Sequence, residues 1–170
     1  PETVQVLMAA FPDVTDAGDA VAAIISAGII PAGLEMMDNP AIRAAEAFAK
    51  ADYPVDAAAI LLCELDGIEA EVEEQASRVR AILNLHRAST IHLAKTSGER
   101  ARLWAGRKSA FPAVGRLSPD YYCMDGTIPR KHLAHVLQKI ADFSTQYGLA
   151  VANVFHAGDG NLHPLILYDA

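Results

Sequence analysis

Basic charge is scarce in this chain: 14 Lys and Arg stand against 21 Asp and Glu, a formal net charge of -7. Binding to a phosphate backbone depends on clustered cations, so the composition argues against a nucleic-acid partner. Long apolar runs are missing too, and none approaches the ~18 residues of a membrane-spanning helix. The opening PETVQVL has neither the basic nor the apolar region of a secretory signal. Both absences predict a cytoplasmic location, the inner face of a membrane included. Cysteine is confined to Cys63 and Cys123, far apart in sequence, which predicts free thiols rather than a disulfide. Aromatic residues make up only 6% of a chain that is 52% hydrophobic, so the core must be built from aliphatic side chains.

What is present suits a folded domain. A chain of 170 residues can bury about 70% of its unfolded surface without staples. We read 1–170 as one domain, divisible into halves 1–95 and 96–170. The start at Pro1 and the close on the strand-like HPLILYDA predict a piece of a larger protein.

Residues 4–11, VQVLMAAF, read as a buried strand, and Pro12-Asp13 turns into a helix to Ala27 whose face is Val14, Ala17, Val21, Ile24 and Ile25. IIPAGLEMM follows Gly28 as a second strand despite Pro31 and Gly33. Asn39-Pro40 opens a helix to Lys50, AAAILLCEL is a strong strand, and Asp66 with Glu69 has the spacing of a capping box for a helix to Asn84. STIHLAK is a strand, SGERARLWAGRKSAF a helix up to Pro112, and YYCMD a strand. Pro129 begins a helix with the apolar face Leu133, Val136, Leu137, Ile140 and Phe143, ending at Tyr147-Gly148. VANVF and LILY are strands joined by a hairpin. This order predicts an α+β fold: a largely antiparallel sheet with helices on one face, built from two ferredoxin-like halves.

His156 and His163 bracket the turn AGDGNL. If the flanking strands set them opposite each other, their Cβ atoms lie roughly 5 Å apart. Two imidazoles at that separation can share a divalent ion at about 2.0 to 2.1 Å per bond. Asp159 is a third ligand or a turn-forming Asp, and Asn161 bonds a ligand or holds the loop. His132 and His135 fall on a solvated helix face beside Lys131 and Lys139. His86 and His92 satisfy local hydrogen bonds, EAEVEEQ is an outer helix face, Arg116 after Gly115 is solvated in its loop or helps bind an anion, and Met36 and Met37 are packing residues.

The string VFHAGDGNLHP resembles the metal-binding signature of the FAD-linked oxidase C-terminal domain family, which includes the glycolate oxidase flavin subunit, D-lactate dehydrogenases and D-2-hydroxyglutarate dehydrogenase. LWAGRKSAFPAVGRLSPDYYCMDGTIPR at 103–130 and AGIIPAGLEMMD at 27–38 extend the likeness over essentially the whole chain. The resemblance implies that His156 and His163 bind a divalent metal, zinc or a similar ion, and that Arg107 meets a substrate carboxylate, for which a guanidinium fork is apt. Some relatives carry a lysine where Cys123 stands here. Tyr121 or Tyr122 can supply a hydroxyl in its place, and Tyr122 and Asn161 join Arg107 as candidate substrate contacts. The family's further acidic ligand and catalytic histidine lie downstream of the hairpin, beyond Ala170, so no catalytic residue is assigned here.

The resemblance further implies an FAD-dependent (S)- or (R)-2-hydroxyacid oxidoreductase whose flavin is bound by a separate domain of the same polypeptide. Nothing in this sequence resembles that domain's glycine-rich pyrophosphate-binding segment. Glycolate or D-lactate is the expected substrate, oxidised to the 2-oxo acid, and the piece alone is expected to be inactive. Other oxidase subunits, including an iron–sulfur one, are expected partners. The alternative is a ferredoxin-like sensing or assembly domain without a redox role, which predicts that Arg107, His156 and His163 lie apart.

Overall fold

The computed structural model describes residues 2–170. Its strands are β1 (Glu2–Phe11), β2 (Gly33–Asp38), β3 (Ala59–Ile68), β4 (Thr90–Leu93), β5 (Asp120–Cys123), β6 (Gly126–Thr127), β7 (Val151–His156) and β8 (Asn161–Tyr168). Its helices are α1 (Val14–Ser26), α2 (Asn39–Ala49), α3 (Glu69–Leu85), α4 (Ser97–Lys108), α5 (Ala110–Val114) and α6 (Leu133–Tyr147). All eight strands join one sheet, ordered β4-β1-β3-β2-β7-β8-β5 with β6 added against β8, and every pairing is antiparallel. The order β4-β1-β3-β2 is that of a ferredoxin-like unit with α2 inserted, and β5-β8-β7 repeats three of its four strands. The two groups meet where β2 pairs with β7, Met36 opposite Phe155 and Met37 opposite Val154.

Helices cover both faces of this sheet, not one. α1, α3 and α6 bury one face through Val21, Ile24, Val79, Leu83, Leu133 and Leu137, whereas α2, α4 and α5 bury the other through Ile42, Leu103 and Val114. The strands show why. In β1, Leu7, Ala9 and Phe11 enter the first core while Val6, Met8 and Ala10 enter the second. A strand buried on both sides reads as an unbroken apolar run, which does not say how many layers cover it. Met36 and Met37 pack into opposite cores as expected, and both cysteines are free, Cys63 buried and Cys123 exposed.

Several boundaries differ from the sequence expectations. β2 starts only at Gly33, because Pro31 cannot donate to a ladder and β2 lies between two partners. Asp66 does not cap α3: β3 continues through Ile68, pairing Asp66 with Val4, and no side chain caps the helix. The capping box belongs to α4, where the Glu99 amide donates to Thr96 Oγ1 at 3.1 Å and Glu99 Oε2 accepts from the Thr96 amide at 3.3 Å. The helix expected up to Pro112 breaks at Ser109 into α4 and α5, and a 3₁₀ turn over Arg130–His132 precedes α6. Gly148, left-handed at φ 64°, ends α6 as expected.

Candidate active site

Glu35 is a charged residue in a buried strand, and its position in β2 determines what it meets. Leu34 and Met36 enter the core under α1, so alternation turns Glu35 toward α4. There its Oε2 accepts from Arg107 Nε at 3.1 Å and Nη2 at 2.8 Å, while its Oε1 lies 2.8 Å from His156 Nδ1. The Glu35 and Arg107 side chains are only 14% and 8% exposed, so this ion pair is held largely out of water. A carboxylate only accepts, so a hydrogen bond here needs a proton on His156 Nδ1, and a neutral ring in that tautomer has a free lone pair on Nε2.

Arg107 reaches the sheet because α4 approaches closely. Leu103 and Arg107, four residues apart, share the buried face of that helix. Gly106 lets Tyr53 and Ala51 pack against it: a Cβ there would come within 2.6 Å of both. The Tyr53 hydroxyl donates to the Leu103 carbonyl, and burial raises that phenol's pKa. Part of the guanidinium fork is therefore already taken. Glu35 occupies its Nε edge, leaving the Nη1 end.

The hairpin after β7 is also re-registered. His156 stands opposite Asn161, and His163 opposite Val154, so the histidines are diagonal neighbours and not directly opposed. A 3₁₀ turn over Ala157–Asp159 and the left-handed Gly160, φ 69°, make the connection. Arg130 Nε donates to the Gly158 carbonyl, and the Ile128 amide donates to the Gly160 carbonyl at 2.9 Å, pinning the turn to the chain before α6. The two imidazoles still share a face, ring centroids 5.4 Å apart and planes at 88°. His163 is packed edge-on by Phe111 at 5.8 Å, and its Nδ1 lies 3.7 Å from Asp125 Oδ1. Asn161, on the same face, has a buried Oδ1 with no partner.

Arg107, His156 and His163 thus occupy one region, with Asn161 beside them. Asp159 lines the same cleft as Glu35, Arg130 and His156. Tyr122 does not join them: it pairs with Ile166 on the opposite face of the sheet and is 61% exposed. His86, His92, His132 and His135 lie on other elements. Among the described residues, no three His, Cys, Asp or Glu side chains form a ready-made metal cluster. Sequence reasoning missed Glu35, Asp125 and Glu64, whose Oε2 accepts from Trp104 Nε1 at 2.6 Å over Gly33. The one available signal was a carboxylate inside the otherwise apolar run LEMM.

The family described as FAD linked oxidases, C-terminal domain, matches residues 1–170. The chain is 64% identical over 170 residues to glycolate oxidase subunit GlcD of Escherichia coli K12, covering 100% of this chain and 34% of that protein. It is 37% identical to GlcD of Bacillus subtilis, covering 99% and 36%. To the mitochondrial D-lactate dehydrogenase [cytochrome] of Arabidopsis thaliana it is 30% identical, covering 99% and 30%. The chain therefore spans about a third of the length of these relatives. Among solved structures, a p-cresol methylhydroxylase with substrate bound shares the fold at a TM-score of 0.66 and 13% identity, over 98% of this chain and 39% of that one. An alkyldihydroxyacetonephosphate synthase does so at 0.65 and 15%, over 96% and 36%.

Proposed function

The chain belongs to the family of FAD-linked oxidase C-terminal domains, and from that membership we propose that it is the substrate- and metal-binding part of a larger FAD-dependent 2-hydroxyacid oxidoreductase. Glycolate or D-lactate is the substrate and the 2-oxo acid the product. The observation that carries this reading is the junction at Glu35, which ties a buried guanidinium and an imidazole into one site. Relatives named glycolate oxidase subunit and D-lactate dehydrogenase supply the substrate class.

Arg107 binds the substrate carboxylate through the end of the guanidinium that Glu35 leaves open, in a setting where low exposure strengthens the pairing. Asn161 presents its unpartnered Oδ1 as an acceptor for a substrate hydroxyl. The donor chemistry fits a divalent ion such as zinc in part: His156 turns Nδ1 to Glu35 at 2.8 Å, the arrangement that leaves Nε2 for a metal, whereas His163 Nδ1 lies 3.7 Å from Asp125, beyond hydrogen-bond length. His156 and His163 would hold that ion, and it would supply Lewis acidity at the hydroxyl. FAD, held by another domain of the same polypeptide, supplies the hydride acceptor. The exposed Tyr122 has no part in this arrangement.

Association with further oxidase subunits, an iron–sulfur one among them, belongs to the same proposal, as does a place in the cytoplasm or at the inner face of a membrane. Among the described residues no helix is long and apolar enough to cross a membrane. The test uses the full-length protein, following reduction of an artificial electron acceptor with glycolate and with D-lactate. We expect turnover that a chelator abolishes and added zinc or manganese restores, and none from residues 1–170 alone. Indifference to the chelator would remove the metal; failure with both acids would remove the substrate class.

A further inference from the structure

We propose that Glu35 is a positioning residue that sets Arg107 and the tautomer of His156 together. The inference rests on the substrate and metal roles proposed above, but its physical content is independent of them. Each carboxylate oxygen has its own partner: Oε2 accepts from Nε and Nη2 of Arg107, and Oε1 faces His156 Nδ1 at 2.8 Å. Both partners must donate, because a carboxylate has nothing to give. One side chain on β2 thereby fixes a residue of α4 and a residue at the end of β7, two elements with no covalent proximity to each other. His156 needs such a support, since its side chain is 47% exposed while that of Glu35 is only 14% exposed. Arg107 needs it as well, because a guanidinium this buried must keep an anion beside it.

The isosteric change Glu35→Gln separates the two functions. A glutamine has one acceptor oxygen and one amide donor. Arg107 is always a donor, so the oxygen stays with it and the amide turns to His156. The imidazole then accepts at Nδ1 and moves its proton to Nε2, the nitrogen that would otherwise hold a metal. Glu35→Ala removes both supports at once.

The experiment labels the histidines of metal-free, full-length protein with ¹⁵N and reads the ring tautomers by long-range proton–nitrogen NMR. We expect the His156 proton on Nδ1 in the wild type and on Nε2 in Glu35→Gln. Equilibrium dialysis against zinc should then show affinity weakened about 10- to 100-fold, the usual consequence of losing a histidine's outer partner. The KM for the acid should rise less in Glu35→Gln, which keeps an acceptor on Arg107 though not its counter-charge, than in Glu35→Ala, which keeps neither. A wild-type proton on Nε2 overturns the proposal without any variant, and so does a Glu35→Gln protein with the wild-type tautomer. A tautomer switch in proteins that bind no zinc supports the role of Glu35 and overturns only the metal assignment. Equal damage to KM in both variants overturns the division of labour between the two oxygens.

Discussion

Arg107 is the residue whose sequence context and structural setting diverge most. On a helix rich in charge it has the look of a solvated side chain, yet it lies against the sheet beside Leu103 with Glu35 as its counter-ion. Removing one partner of such a pair leaves the other charge buried alone, which costs about 3 to 5 kcal/mol, whereas neutralising both costs far less. We expect Arg107→Ala to lower stability by about 3 kcal/mol and Arg107→Ala with Glu35→Gln to recover much of it, read by urea unfolding as a double-mutant cycle. A coupling under about 0.5 kcal/mol would mean that the pair is energetically idle. Arg107→Lys retains the charge but not the fork, so a lysine satisfying Glu35 has no second edge for a carboxylate. On the role proposed for Arg107, we expect this change in the full-length protein to raise KM for the acid more than it lowers kcat.

α4 shows how an element places a site. Its Thr96–Glu99 capping box starts the helix and Gly106 lets it approach Tyr53, so the helix arrives with Arg107 at the level of Glu35. Gly106→Ala would force its Cβ against Tyr53 and Ala51, and overpacking of this kind costs about 1 to 3 kcal/mol. We expect that loss in chemical denaturation, together with, on the role proposed for Arg107, weakened use of the acid as α4 withdraws; wild-type stability would show that the contact relaxes freely. The apolar runs of β1 and β3 and the periodic faces of α1 and α6 were legible in the sequence because burial writes itself into composition at a fixed period. Strand ends were less so: β3 extends over Asp66 and Gly67 because β1 supplies partners that local sequence does not reveal. The hairpin histidines were legible as a pair, but their register was not, since a 3₁₀ turn set the offset. Glu35 and Asp125 escaped notice because their partners lie more than thirty positions away, a tertiary fact with no local trace.

Across the whole molecule, two polar pairs cross the β2–β7 seam, and they lie on opposite faces of the sheet. Glu35 and His156 form one; Asp38 and Asn153 form the other, with Asn153 Nδ2 donating to Asp38 Oδ2 at 2.7 Å. Asp38 also caps α2, accepting from the Ala41 amide at 3.3 Å, and Asn153 Oδ1 is buried without a partner. Burial pushes the Asp38 carboxyl up to about 6, against the pull of those hydrogen bonds. A folded-state pKa above the unfolded value of about 3.9 means that the native state holds a proton the unfolded chain releases. The contribution of Asp38 is therefore fully present below about pH 4, falls as pH rises to about 6, and has lost about 3 kcal/mol above that. Asp38→Asn removes the charge while retaining the cap, as Asn and Asp cap helices equally well. Its amide nitrogen can donate to Asn153 Oδ1 once the Asn153 amide turns over, which pairs that oxygen and sets Nδ2 in the place it held. We expect the difference in unfolding free energy between Asp38→Asn and wild type to grow in the variant's favour from pH 4 to pH 6 and then stay level, measured by urea titration across that range. A constant difference would show that Asp38 ionises normally in the folded protein, so that Asn153 donates across the seam to a carboxylate throughout this range and never to a neutral acid.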